Sequence, residues 1–509
     1  MVSPFPLRVA VLDVGSNAIR AFACEFTSAT SYRVLLSNRS PVRLGHSVFQ
    51  EGAIAKTEMD EAVGVLAAFR LEAEALGIRH IRAVATSAVR EAANRAQFQR
   101  RAQKEASIEL EAITGAEEAR LIHLAVSMRI PLDKPTLLMD LGGGSLEVTL
   151  VDGKGILWSE SHPIGAVRLL EEFESCRGDA KKFTRLIQQT VEAFRIPTAA
   201  TGRRASALAA TGGNIEELAR LLGANGGDGV VEIKVDALEK IADDMARLDV
   251  PARIQKFGIR PDRADVIVPA AYVHIHIARL AGVKTIVIPK VGLKEGVAWD
   301  LLDSVAIRTD QARRHTELVR DGALALGRRF QFEEPHGVQV ARLALELFDR
   351  LKPLHGLGAE ERDILAAAAI LHDVGRFIGD RGHHKHSHYL IAASDIPGLG
   401  PRETELVAQV ARYHRRSEPS VEHEPFARLH VADRKRVEKL AALLRVADAL
   451  DREHKGAVQE LKVRRSKSRL TLTLVGAPGS DFLLEQWAVQ QKGGLFTRLW
   501  GLPIEVTKT

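Results

Sequence analysis

The chain carries one short pattern twice. An apolar strand runs into Asp-x-Gly and a polar turn, as VAVLDVGSN at residues 9–17 and as LLMDLGGGSLE at residues 137–147. Glycines let the backbone come close to an anion and present successive N–H groups to it, and the aspartate beside them supplies a metal ligand. An offset of 127 residues lays Asp13 on Asp140 and Gly15 on Gly142, and each copy continues into a second alternating strand, at 18–26 and 146–151. One copy alone reads as an ordinary Gly-containing hairpin turn. Duplication at domain-sized spacing argues instead for two turns that face each other and clamp a phosphate chain.

Between the turns, TGAEEARLI at 114–122 puts Glu117 and Glu118 near the start of a predicted helix. A carboxylate there can hold a water as general base; its plainer role is to complement the positive end of the helix. Histidine is the third feature. Of 18 in the chain, 12 lie within 315–454, and five of these within 372–388 (HDVGRFIGDRGHHKHSH).

These residues need elements to position them. With 509 residues the chain is too long for one core. Helical periodicity at 57–76 and a short apolar strand at 81–85 mark an α/β region. The pattern restarts at 136, with helices near 167–173 and 180–194 and a strand-turn-helix at 205–222. Beyond Asp303 strand signals vanish and amphipathic helices follow through Arg320, Leu347, Leu371, Ala411 and Leu450. Alternation returns at 458–475 and the tail closes at 482–509. The net charge of +6, from 71 basic and 65 acidic residues, gives no global attraction to nucleic acid. Cys24 and Cys176 form no C-x-x-C pair, which fits a reducing cytoplasm. The most apolar stretch, 266–283, is interrupted by Pro269, His274, His276 and Arg279, so no membrane span is expected.

Eight ordered motifs, DVGSNAIR at Asp13, ATSAVREAAN at Ala85, TGAEEARLI at Thr114, MDLGGGSLEV at Met139, IGAVRL at Ile164, ATGGNIEEL at Ala210, RADVIVPAA at Arg263 and VGLKEG at Val291, resemble the exopolyphosphatase and guanosine pentaphosphate phosphohydrolase (Ppx/GppA) family. The resemblance implies an α/β fold of two actin-like (ASKHA, ribonuclease H-like) domains, 1–128 and 129–305. An all-α HD-type domain at 306–456 and a small α/β cap at 457–509 follow. It implies Glu118 as the base that activates water and Asp140 with Glu147 as a magnesium site. Asp13, Gly15, Ser16, Asn17, Gly142, Gly143, Gly144 and Ser145 would cradle the terminal phosphoryl group, and Thr211, Gly212, Gly213 and Asn214 would extend the phosphate track. Arg90 would neutralise phosphoryl charge; its plainer role is a helix-surface pairing with Glu91.

Within the histidine-rich region, the ordered set His336, His372-Asp373 and Asp448 resembles the HD phosphohydrolase superfamily, whose four ligands hold a divalent metal, with His386 and His414 as candidates for a second ion. Imidazole and carboxylate suit manganese, iron or zinc. The competing expectation is a degenerate helical appendage with 383–388 as a solvated loop. Two basic runs, Lys462, Arg464, Arg465, Lys467, Arg469 and Arg412, Arg415, Arg416, are candidates for weak, salt-sensitive polyphosphate contacts.

The expected function is therefore a cytoplasmic, magnesium-dependent exopolyphosphatase acting on inorganic polyphosphate. Guanosine pentaphosphate is the alternative substrate, and a nucleotide-sensing module with an HD-domain phosphohydrolase the alternative of another class. A homodimer is expected, with neither nucleic acid nor membrane as partner.

Overall fold

The computed structural model describes residues 5–153, 155–176, 179–195, 205–224, 229–306, 311–477 and 480–508. The chain divides into two compact units, Met1–Thr309 and Asp310–Thr509.

The first unit holds two mixed sheets. In the first, β1 (Leu7–Val14), β2 (Ile19–Phe26), β3 (Tyr32–Ser40), β4 (His80–Ala85) and β5 (Leu110–Ala112) lie in the order β3-β2-β1-β4-β5. In the second, β6 (Thr136–Leu141), β7 (Leu146–Asp152), β8 (Gly155–His162), β9 (Ala207–Thr211), β10 (Val231–Lys234) and β11 (Thr285–Ile288) lie in the order β10-β11-β9-β6-β7-β8. Apart from the antiparallel edge strand β10, the second order repeats the first strand for strand. In both, a meander of three antiparallel strands is followed by two parallel additions. The turn after β1 closes with Gly15 N–H donating to the Ala18 carbonyl at 3.1 Å, and the turn after β6 with Gly142 N–H donating to Ser145 at 3.0 Å. The duplication legible in the sequence is thus a duplication of backbone.

Helix Gly115–Ser127 is what ties the two sheets to one site. Thr114 caps it by accepting from the Glu117 N–H at 3.2 Å, which fixes where the first turn, and so the two glutamates, stand. Its apolar face (Leu121, Ile122, Ala125, Val126) enters a core that also takes Val9, Val11 and Phe22 from the first sheet, Leu138 and Val151 from the second, and Val297 and Leu302 from helix Leu293–Ala306. At Gly296 that helix touches the backbone of Gly115–Ser127. A Cβ there would meet the Leu121 carbonyl, with its carbon 2.7 Å away. Because neither partner is a flexible side chain, Gly296→Ala is expected to destabilise the protein by ~1–3 kcal/mol, the usual range for overpacking, and to lower activity through displacement of Glu118. A thermal melt with the parent's midpoint would refute this.

The second unit packs helices Gln311–Arg329, Glu334–Arg350, Ala359–Leu371, His383–Ala392, Pro401–Arg412 and Val431–Ala449 against a three-stranded sheet of β12 (Glu460–Arg465), β13 (Leu470–Val475) and β14 (Ile504–Lys508). Helices Leu483–Lys492 and Gly494–Trp500 link the last two strands. Leu461, Leu470, Leu472 and Leu474 share one core with Leu440, Leu443 and Leu444, so sheet and helices are a single hydrophobic body. Residues 383–388, for which a solvated loop was one expectation, begin a helix with His383 and Ser387 buried. The Ser387 hydroxyl donates to the His372 carbonyl at 2.7 Å and accepts from the Gly375 N–H at 2.9 Å, locking this helix onto the His372-Asp373 segment. Among the described residues no helix is long and apolar enough to cross a membrane, and Cys24 and Cys176 are both free.

Candidate functional site

Glu118, Asp140 and Glu147 bring carboxylate oxygens within 4.8 Å of one another. They come from the capped helix, the end of β6 and the start of β7, where Asp140 stands opposite Glu147 in the antiparallel register. The same register in the first sheet puts Asp13 opposite Arg20. One copy thus carries an ion pair, Arg20 to Asp13 at 2.8 Å, where the other carries two carboxylates. Carboxylates so close repel one another, and either a proton or a cation relieves them. Among the described residues the basic side chain bonded to the trio is Arg90, whose Nη1 donates to Glu118 at 3.4 Å and to the Ile113 carbonyl at 3.0 Å. Thr211 donates to Asp140, Ser161 donates to Glu147 at 2.8 Å, and the other oxygen of Glu147 is buried with no hydrogen-bond partner among the described residues. A divalent ion with oxygen ligands fits this donor set.

The structure separates the two adjacent glutamates. Glu117 is held by Arg120 at 2.8 Å, and Arg120 and Arg82 both pair with Asp300 on the neighbouring helix, so Glu117 belongs to a structural ion-pair network. Glu118 alone faces the cluster. Arg90 does not pair with Glu91, which is taken by Arg168 at 2.7 Å.

The two glycine turns do face each other. A Cβ on Gly143 would lie 3.0 Å from the Ser16 Cβ and 3.2 Å from the Asn17 nitrogen, and one on Gly144 2.8 Å from the Ser16 hydroxyl, so only glycine permits this approach. The Gly143 carbonyl is spent on the Val167 and Arg168 N–H groups at 2.8 and 3.0 Å. Two expected cradle side chains are otherwise engaged. Asn17 accepts from Arg43 at 2.9 Å and donates to the Asp262 carbonyl at 3.4 Å, and Asp13 holds Arg20; these residues shape the turn rather than offer side-chain donors. Thr211 serves Asp140, and Gly212 adopts φ +107° beside it. Gly213 accepts from Arg263, and Asn214 lies in the first turn of helix Gly213–Leu221.

Arg20 and Arg263 were not among the residues singled out in the sequence, although both lie in its motifs. Burial pushes the Arg263 guanidinium down to about 10, and Arg260, Arg39 and Arg20 add to this. The four arginines thus lie close enough to feel one another's charge, with Arg20 paired to Asp13 and Arg39 to Asp262. The signal available was the 127-residue offset, which lays Arg20 on Glu147.

Burial, with Asp140 beside it, pushes the Glu147 carboxyl up to about 7. Burial and Glu147 hold Glu118 well above its ordinary value against Arg90, and burial raises Asp140 too. Groups raised on folding give stability that is complete below their unfolded values and is lost as pH climbs through the folded ones. In EDTA the melting temperature is therefore expected to fall as pH rises from about 4.5 to beyond about 7, and saturating magnesium should flatten that slope. An unchanged slope with magnesium would remove the ion from this cluster.

In the second unit the expected ligands converge. His336, His372 and Asp448 form one group, and Asp373, His383 and His414 a second. His372 Nε2 lies 3.7 Å from Asp373 and 3.8 Å from Asp448, while Asp373 lies 3.0 Å from His383 Nε2 and 3.4 Å from His414 Nε2, so Asp373 stands between the groups. Each ring is oriented from behind. Nδ1 faces the Asp451 carboxylate in His336 (2.8 Å), the Ala369 carbonyl in His372 (2.7 Å), the Asp380 backbone carbonyl in His383 (3.1 Å) and the Ala411 backbone carbonyl in His414 (2.7 Å), acceptors that favour the tautomer protonated on Nδ1 and able to ligate an ion through Nε2. His336 and His372 Nε2 are buried without partners. His386 is a correction: it belongs to neither group, because on the helix that begins at His383 it is His383 that faces His414. The remaining expected basic run, Lys462 to Arg469, is exposed on β12 and the turn after it, and Arg469 pairs with Glu505.

Doubled sheets of one strand order around a carboxylate trio and two apposed glycine turns define a phosphoryl-handling protein of the actin-like class. The model of the Ppx/GppA phosphatase family matches residues 26–305, and that of Ppx/GppA phosphatase domain III matches residues 319–487. The chain belongs to the Ppx/GppA phosphatase family. It is 25% identical over 474 residues to a guanosine-5'-triphosphate,3'-diphosphate pyrophosphatase of Vibrio vulnificus (strain YJ016), covering 91% of each chain. It resembles the crystal structure of an exopolyphosphatase from Cytophaga hutchinsonii ATCC 33406, with 27% identity and a TM-score of 0.52 over 58% of this chain and 98% of that one.

Proposed function

We propose that the first unit is an exopolyphosphatase, hydrolysing the terminal phosphoanhydride bond of inorganic polyphosphate. The observation that carries this reading is the position of Glu118, 4% exposed, within the trio and oriented by Arg90. A water oxygen attacks the terminal phosphorus as the bridging P–O bond breaks; Glu118 takes the water's proton, orthophosphate leaves, and the shortened chain retains the bridging oxygen. Asp140 and Glu147 are the residues that would hold magnesium, which when bound neutralises charge on the transferring group. The glycine turns bind the phosphoryl oxygens, and Arg20 and Arg263 draw the polyanion in. Guanosine pentaphosphate is the second reading, favoured by the relative that matches this chain over 91% of its length.

The helical unit reads as an HD-type metal hydrolase site, with His336, His372, Asp373 and Asp448 for one ion and Asp373, His383 and His414 for another. Manganese, iron or zinc suits these ligands and supplies an activated water.

Orthophosphate release from long-chain polyphosphate and from guanosine pentaphosphate, measured side by side with magnesium, tests the assignment. A polyphosphate kcat/KM at least about tenfold higher is expected. The reverse order selects the second reading, and release from neither overturns both.

A further inference from the structure

A cavity of about 150 Å³ opens onto Asp373, His414 and Asp448, and its far wall is a helix that none of the ligand motifs contains. Helix Leu483–Lys492 presents Trp487, Ala488, Gln491 and Lys492 to it, the stripe of residues one turn apart that shares a helix face. The helix is fixed in place. Buried Arg445 donates to the Lys492 carbonyl at 3.3 Å and to the Tyr413 carbonyl at 3.1 Å, tying it to the loop that carries His414, and Glu485 accepts from the Glu453 N–H at 3.2 Å.

The wall divides into two chemistries. Lys492 pairs with Asp448, Arg415 reaches His383 at 3.2 Å, and Arg376 holds Asp373 at 2.9 Å, while Arg452 stands exposed beside them; together they gather positive charge at the ligand end. Farther out, Trp487 is 54% exposed, with Gln491 one turn along. A linear phosphate chain would use the cations but has no plane to lay on an indole. A nucleoside phosphate would use both, since a base stacks on an aromatic face and an amide can hydrogen-bond its edge.

We infer that the cavity of the helical unit takes a nucleoside phosphate, its phosphoryl group among Arg376, Arg415, Arg452 and Lys492 and its base on Trp487 beside Gln491. This rests on the hydrolase reading of that unit, and the cap helix is then its specificity element.

The test is binding to EDTA-treated full-length protein, so that no turnover intrudes. Guanosine 5'-monophosphate, ribose 5-phosphate and tripolyphosphate are titrated by calorimetry and by tryptophan fluorescence. The nucleotide is expected to bind about tenfold or more tighter than ribose 5-phosphate, with quenching that disappears in Trp487→Phe. Trp487→Ala should reduce the preference to about one, and Arg452→Ala should weaken both ligands alike. Equal affinities, a preference that survives Trp487→Ala, or tripolyphosphate reversing the nucleotide's Trp487 quenching at a lower concentration than the nucleotide needs would each overturn the inference; the quenching, not the calorimetric total, is decisive because the first unit is itself proposed to bind polyphosphate. Metal content measured on the untreated preparation keeps the two readings apart. Ions bound without base preference sink the nucleotide inference alone; base preference without ions sinks the hydrolase reading and leaves a nucleotide site.

Discussion

Glu118→Gln is expected to lose about 10²–10⁴-fold in kcat for orthophosphate release, the usual contribution of a general base, while KM changes by no more than a few-fold. The substitution is isosteric, and its amide oxygen still accepts from Arg90, so the helix start capped by Thr114 and the wall of the site keep their shape. What is lost is the capacity to take a proton from water. Removing one of three crowded carboxylates also relieves repulsion, so the variant should melt at or above the parent's temperature in EDTA at high pH. Glu117→Gln is the matched comparison. It breaks the Arg120 and Arg82 network and should cost stability with kcat nearly unchanged. Turnover of Glu118→Gln within about tenfold of the parent would take the base role from this residue.

The second large effect concerns the helical unit. Asp373→Ala should abolish transition-metal binding altogether, because Asp373 contacts His372, His383 and His414 and so lies within reach of both ligand sets. His383→Ala should leave only the ion at the His336–His372–Asp373–Asp448 set, and His386→Ala should leave the metal content as it was. Asp451→Asn touches no ion but weakens the acceptor that orients His336, and an orienting partner of this kind is worth about 10–100-fold in metal affinity. Metal analysis after dialysis against buffered manganese reads all four. Equal ion content in the parent and Asp373→Ala would reduce the cluster to a buried polar network. Polyphosphate hydrolysis should be indifferent to these variants if the chemistry lies in the first unit.

These experiments separate what was written locally from what was not. The strand-turn-strand of residues 9–26 and its copy at 137–151 were legible because turn chemistry and alternating burial are local. So was the pairing of His372 with Asp373, which is contiguous. Strands β3 and β8 were not, because their side chains are half exposed and carry little alternation. His383 against His386 could not be decided without knowing that a helix starts at Gly382, since the phase of a helix, not the composition of a histidine run, sets which ring points inward. Glu118 was favoured over Glu117 only by family resemblance; in the structure, Glu117 is claimed by Arg120, which also holds Asp300, 180 residues beyond it on another helix.

The sequence by itself determined the doubled strand-turn-strand unit, its two glycine turns and the helical body that follows. Each depends on residues within a turn or a strand of one another, or on an exact repeat. The tertiary structure decided which carboxylate faces the site, that Arg20 and Arg263 join it, that His383 completes the second ligand set, and that the cap's Trp487 and Lys492 wall its cavity. Those choices depend on contacts between residues far apart in the chain, whose geometry appears only once the apolar cores have closed around them.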